Sequence, residues 1–298
     1  MFSSHLGEFA ALLTAVFWTI TALSFEIAAK KVGTYSLNII RLSFAFVLLA
    51  AFSYFRRGLI LPTDASLHAW TWLSLSGIIG FVIGDMFLFA SFAMIGARIS
   101  MLIMTLVPPL AAIMSWFILG ETMSLMALAG MVLVVGGISI SIWSRQNQGE
   151  KMKLNYPIKG LLFALLGAIG QAGGLILSKF GMIDYDPFAA TQIRIMAGLF
   201  GFAIIITILK RWKFVKATFS NKPAMVGISI GSFFGPFLGV SFSLIAIQYT
   251  NAGIAATLMA IVPILIIPPA ILLFKQKVSL KEVIGALISV GGVVLFFI

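Results

Sequence analysis

Apolar runs of about 20 residues recur from one end of this 298-residue chain to the other. Wound as a helix, a run of that length spans the hydrocarbon layer of a bilayer. In that solvent every backbone N–H and C=O must be paired within a helix or a closed barrel. The runs lack the short strict alternation of barrel strands. The expected fold class is therefore all-α, a polytopic membrane protein. With 61% hydrophobic and 10% charged residues, against about 25% charged in a soluble domain, the chain has too little charge for a water-facing surface. Ten candidate spans run at about 8–29, 36–55, 69–91, 98–119, 123–143, 157–179, 187–209, 223–248, 252–274 and 279–298.

Two of these spans carry the same interruption. The fourth contains Met104-Thr105-Leu106-Val107-Pro108-Pro109 and the ninth Met259-Ala260-Ile261-Val262-Pro263, an offset of 155. The same offset pairs Gly80 with Gly235, Gly84 with Gly239, Gly130 with Gly285 and Gly136-Gly137 with Gly291-Gly292. Nearer the start of each half an offset of 153 pairs Gly7 with Gly160, Ala11 with Ala164 and Arg41 with Arg194. The chain is thus expected to be a duplication: a first five-helix repeat over 1–145, a polar linker over 146–156 and a second repeat over 157–298. Five is odd, so the second copy enters the membrane from the opposite side. Two inverted five-helix repeats around a central cavity are a common build for secondary transporters.

These residues resemble the EamA-type ten-helix transporters of the drug/metabolite transporter superfamily. The likeness rests on Phe17-Trp18, on IRLSFAFVLLA (Ile40–Ala50) and on Phe89–Ile138, with its alanine-rich entry, mid-helix proline, Gly120-Glu121 and glycine-bearing fifth helix. In the second half Lys275-Gln276 stands where the Gly-Glu pair is expected. The resemblance covers nearly the whole chain. It implies a transporter, an exporter of small organic solutes such as amino acids or related metabolites, and it does not single out a substrate.

Proline removes a backbone hydrogen bond and clashes with the carbonyl four residues back. Pro108 and Pro263 are accordingly hinge candidates, with Met104, Thr105 and Met259 as the residues whose carbonyls are disturbed. A static kink accounts for the same pattern. Gly80, Gly84, Gly231, Gly235 and Gly239 form small-residue faces that allow close helix packing. A charge at the bilayer centre costs about 3 kcal/mol or more, which makes Asp85 the sharpest candidate, either for a proton or substrate amine or as a structural acid. Glu26 and Arg41, near the facing ends of the first two spans, are expected to form a structural ion pair. Inversion is expected to carry Arg41 and Arg194 towards opposite faces, where Arg194 either binds a substrate carboxylate or reaches the headgroups. Trp18, Thr21, Gln171, Gln192, Ser241, Gln248 and Tyr249 complete the candidate substrate path.

Other functions find little support. There is no cysteine, hence no thiol chemistry, and no phosphate loop of the G-x-x-x-x-G-K-[ST] type. No cofactor, metal site or catalytic residue is expected, so the chain is not read as an enzyme. The amino terminus MFSSHLGEFA lacks a basic n-region and cleavage site, and the first run is expected to be retained. The net charge of +11 concentrates in short connections such as Arg145–Lys153 and Lys210–Lys216, which suits anionic headgroups rather than nucleic acid. Connections after odd-numbered spans carry 15 Lys/Arg and those on the other side three. By the positive-inside rule both termini then lie outside, whereas the resemblance implies cytoplasmic termini. The expected partners are a small-molecule substrate, the lipid of an inner or plasma membrane and a coupling proton, with a monomer sufficient for function. The alternative is a membrane binding or sensory protein without transport.

Overall fold

A computed structural model describes residues 6–119, 125–144, 153–154, 156–249, 255, 258–276 and 278–296. Gly120, Glu121 and the Ala252–Ile254 portion of the repeat lie outside the described residues. Apart from a two-residue antiparallel pair, Trp143–Ser144 with Lys153–Leu154, whose second strand falls within the polar linker, the described elements are helical. Among the described residues, five stretches are long and apolar enough to cross a membrane: Leu6–Arg57, Leu67–Ala111, Ile158–Met182, Pro187–Ile208 and Lys222–Tyr249. Leu128–Ser141 and Val262–Leu273 are shorter apolar helices.

The first two stretches are double. At 52 residues, Leu6–Arg57 would run about 78 Å if straight, more than twice the hydrocarbon thickness. It breaks at Gly33, with φ 74° and ψ 167°, a conformation open only to glycine. The Arg41 guanidinium lies 5.6 Å from the Phe25 ring, although a straight helix would separate these positions by about 24 Å. The chain therefore doubles back as α1 (6–32) and α2 (34–57). Gly96, at φ 79° and ψ 159°, does the same between α3 (67–95) and α4 (97–119), and Ser91 Oγ meets Ser100 Oγ at 2.8 Å across the corner. Then follow α5 (Leu125–Ile142), α6 (Ile158–Met182), α7 (Pro187–Ile208), a short α8 (Trp212–Thr218) and α9 (222–249). The chain closes with α10 (Val262–Leu265), α11 (Ile267–Phe274) and α12 (Leu280–Phe296).

Helix starts follow local chemistry. Ser66, Asp186 and Asn221 each accept a hydrogen bond from the backbone N–H three residues on, and proline occupies the first turn of α7 and α9. Ser279 and Glu282 form a reciprocal capping box at the start of α12. The basic stretch read from sequence as a loop winds into α8 instead, because Val215 and Thr218 bury one face of it while Lys213 and Phe214 remain exposed.

The two halves interlock rather than sit side by side. The most extensive packing joins α5 to α12, α1 to α9 and α3 to α6, each pair taking one helix from each half. Between α5 and α12 the repeated glycines meet backbone to backbone. A methyl group on Gly137 would lie 2.5 Å from Gly285 O, and one on Gly292 2.7 Å from Gly130 O. Large apolar side chains such as Phe55, Val132, Phe200 and Leu272 face outward, as lipid contact requires.

Both proline stretches disturb their helices. α4 tightens to a 3-10 turn at Met104–Leu106 just ahead of Pro108-Pro109, and the ninth run splits into α10 and α11, with Pro263 at the start of one and Pro268-Pro269 at the start of the other. A second duplicated irregularity was hidden in the sequence. α3 widens to a π-helical turn at Ile78–Gly84 and α9 at Phe233–Gly239, segments that coincide at the offset of 155.

Candidate functional site

At the middle of the bundle lies a cavity of about 180 Å³. Its wall takes Trp18 and Thr21 from α1, Arg41 from α2, Phe81 and Asp85 from α3, and Met104, Thr105 and Pro108 from α4. The second half contributes Gln171 from α6, Arg194 from α7, Pro236 and Ser243 from α9, and Met259 and Pro263 around the start of α10. Both proline-interrupted helices and both π-helical turns thus reach one space.

The π-helical turn of α3 sets the chemistry. With its wider winding, the Asp85 N–H bonds five residues back to Gly80 O, and Gly80 O also accepts from Gln171 Nε2 at 3.3 Å. π-helical turns of this kind recur at functional sites. Asp85 at the end of the turn is buried, and its two oxygens are both engaged. Oδ2 accepts from the Arg41 guanidinium, and Oδ1 accepts from Gln171 Nε2 at 2.5 Å. Arg41 is further held by its Nε donating to Asn38 Oδ1 at 2.9 Å, and its guanidinium lies 4.7 Å from the Phe89 ring centroid and 5.5 Å from that of Phe81.

Arg194 also lies against Phe81, 4.8 Å from the same ring centroid. α3 and α7 come close because Gly77 has no side chain; a methyl group there would lie 2.2 Å from Arg194 O. Gly80 leaves room for the head group, since a methyl there would lie 3.3 Å from the guanidinium. Arg194 is 5% exposed and its Nε has no hydrogen-bond partner among the described residues. Among the described residues, two arginines and one aspartate leave the cavity one positive charge in excess.

Several expectations need correction here. Glu26 and Arg41 are not partners: Arg41 pairs with Asp85, whereas Glu26 pairs with Lys30 and accepts from Ala97 N at 2.8 Å. Glu26 thereby caps the first free amide after the Gly96 corner. Arg41 and Arg194 do not diverge to opposite faces. Each is the eighth residue of its helix, about 10 Å from the helix start, and each long side chain reaches inward to Phe81.

Of the other candidates, Trp18, Thr21, Asp85, Met104, Thr105, Gln171 and Met259 line the cavity together with Pro108 and Pro263. Gln192, Ser241, Gln248 and Tyr249 do not. Gln192 Nε2 donates to Ile60 O at 2.8 Å, Ser241 is buried in packing beside the cavity-lining Ser243, and Tyr249 is mostly exposed. Gly84, Gly231, Gly235 and Gly239 lie against Gln171, Phe25, Thr21 and Trp18 respectively. The aromatic wall of Phe25, Phe81 and Phe89 was legible only as generic apolar spacing.

The two ends of the bundle differ. At one, Arg56 pairs with Asp186, Arg57 with Asp64, and Tyr185 Oη donates to Asp64 Oδ1 at 2.9 Å, tying 58–66 of the first half to 183–186 of the second. Tyr185 is pushed up to about 12, chiefly by burial. At the other end Arg98 pairs with Glu282 at 3.1 Å, and Tyr156 Oη donates to Glu282 Oε1 at 3.1 Å.

A profile described as the EamA-like transporter family matches residues 5–143 and, a second time, 158–298. No curated protein matches. Among 28 matching chains of solved structures, one described as "Crystal structure of protein" superposes with a TM-score of 0.63 at 16% identity, covering 97% of this chain and 95% of that chain. At that identity the likeness is one of fold.

Proposed function

The chain belongs to the EamA-like transporter family, a family of multi-pass membrane transporters in the drug/metabolite transporter superfamily, and on that premise we propose a secondary transporter that exports small organic solutes by alternating access. In this reading ten helices cross the inner or plasma membrane as two inverted five-helix repeats, and a single chain holds both halves of the path. The protein carries its substrate unchanged and is not an enzyme. The observation that carries the proposal is the central cavity, to which each half contributes one arginine, one π-helical turn and one proline-interrupted helix. Duplicated weak points facing a shared space supply what a site needs to open alternately on two sides.

Pro108 and Pro263 act as hinges in this cycle, and Asp85 acts as the counter-ion of Arg41. A buried arginine without that partner would carry the full cost of an intramembrane charge. The test is uptake of a mixed amino-acid and metabolite pool into proteoliposomes, with and without a pH gradient. Saturable flux is the expected result, unaltered by Asp85→Asn in its response to the gradient if the acid is structural. Accumulation driven by a pH gradient and lost in Asp85→Asn would make Asp85 the coupling site instead. Absence of flux from folded protein would overturn the transport reading. Because the chain has no cysteine, single cysteines at Tyr249 and Ser279 report sidedness directly by labelling with a membrane-impermeant thiol reagent. Labelling of the Tyr249 site from outside the cell, and of Ser279 from inside, is the outcome that matches the loop charge count.

A further inference from the structure

The transport reading leaves the substrate open, and the charges around the cavity narrow it. Each Asp85 oxygen already has a partner, Arg41 on one and Gln171 on the other, and the Arg41 guanidinium balances the carboxylate charge. The carboxylate that an ammonium group would require is therefore occupied. Arg194 is in the opposite condition. It is buried, it lines the cavity, its Nε is unpartnered, and the structure shows no ion pair for it among the described residues. The Arg194 Cζ lies 4.8 Å from the Phe81 ring centroid, a cation–π contact that leaves the planar donor fork of the guanidinium available to a ligand. A guanidinium so placed fits a carboxylate through two parallel hydrogen bonds.

We infer that Arg194 is the substrate-binding residue of the cavity and that the substrate is a small organic monoanion, a carboxylate on an apolar aromatic or branched body, rather than an amine or a zwitterion. The charge count supports one negative charge and no more, since the cavity holds two arginines and one aspartate. The remaining wall supports the body: Phe25, Phe89, Phe92, Met101 and Val262 give it an apolar lining. Size sets the limit. A cavity of about 150 Å³ accepts a benzene ring, and the 180 Å³ here accepts one ring or branched chain with its carboxylate. Binding completes a buried ion pair that the empty protein lacks, so occupancy changes the electrostatics at the junction of α3 and α7.

This inference rests on the transport reading for its physiological meaning but is tested by binding, which does not require flux. Purified protein in nanodiscs is titrated with 3-phenylpropionate, its neutral amide, phenethylamine and L-phenylalanine, with thermal midpoint and radioligand displacement as readouts. The expected order places 3-phenylpropionate first by tenfold or more over the amide and the amine, with L-phenylalanine weaker than 3-phenylpropionate. Arg194→Gln is expected to abolish the difference between acid and amide, and Arg194→Lys to restore part of it. Equal binding of acid and amide by the wild-type protein overturns the inference, whether or not the variants fold. Preference for the amine or the zwitterion overturns it as well. Anion binding without proteoliposome flux would retain this site and remove the transport reading, while flux without anion preference would do the reverse.

Discussion

The α1–α9 and α3–α6 contacts are the same interface built twice from different side chains. With offsets of 153 and 155 the correspondence runs position by position. Trp18 on Gly239 matches Gln171 on Gly84, Thr21 on Gly235 matches Gly174 on Gly80, and Phe25 on Gly231 matches Ser178 on Ser76. At α1–α9 bulky side chains sit on the bare backbone of α9; a methyl on Gly231 would lie 2.2 Å from the Phe25 ring. At α3–α6 the backbones themselves touch, a methyl on Gly170 falling 2.6 Å from Gly84 Cα. Hydrogen bonds from Ser76 and Gln171 then supply the cohesion. Duplicated geometry thus tolerates a loss of bulk across a contact, because backbone meets backbone where the side chains are small. The charged site developed on the polar, backbone-close copy, where Asp85 stands; its counterpart on the apolar copy is Val240.

The contrast can be broken in several ways. Asp85→Ala should have the largest effect, about 3–5 kcal/mol of lost stability, because it leaves Arg41 buried and unpaired. Val240→Ala, the same position on the other copy, should cost only about 1 kcal/mol, because the two carbons it removes are only partly buried. Thermal midpoints of purified protein compare the two directly, and equal losses would refute the assigned asymmetry. Next, Gly170→Ala should cost about 3 kcal/mol, at the upper end for overpacking, with no side-chain truncation able to relieve it, since the obstacle is backbone. Gly231→Ala should cost about 2 kcal/mol, and Phe25→Leu should recover most of that in the double variant, a coupling readable from a mutant cycle. Failure of that recovery would show that the α1–α9 contact is as rigid as its counterpart. The smallest effect is expected for Ser76→Gly, which gives α3 the residue found on α9. Loss of its buried hydrogen bonds should cost about 1 kcal/mol.

Much of the bundle was legible from residue order alone. Apolar runs located the helices because hydrocarbon demands it, and the glycine and proline offsets exposed the duplication because those residues are rarely interchangeable. The π-helical turns were not legible as such, although the repeated Gly80/Gly235 and Gly84/Gly239 pairs bracket their positions. The pairing of Arg41 with Asp85 joins residues 44 apart and depends on how α2 and α3 pack, which periodicity does not encode. Sequence position fixes only the Cα depth of each arginine, and by that measure Arg41 and Arg194 lie apart. The reach of the side chain closes that distance. Glu26 was misassigned for a related reason: its partner amide at Ala97 is freed by the Gly96 corner, which hydropathy passes over.

The corner at Gly33 has a mechanical consequence. Where α1 meets α2 a single residue does the turning, and a peptide unit is rigid apart from φ and ψ. The joint therefore has about two degrees of freedom, whereas the matching joint between α6 and α7 spans four residues, 183–186. Two stiff rods on so short a swivel can rotate about the pivot but cannot translate along each other. Arg41, eight residues out on a lever of about 12 Å, sweeps about 2 Å for every 10° of rotation. The tip of α2 at Arg57, 24 residues out on about 36 Å, sweeps about 6 Å. One small angular change at Gly33 is thereby magnified threefold between the charge in the cavity and the clamp at the end of the bundle.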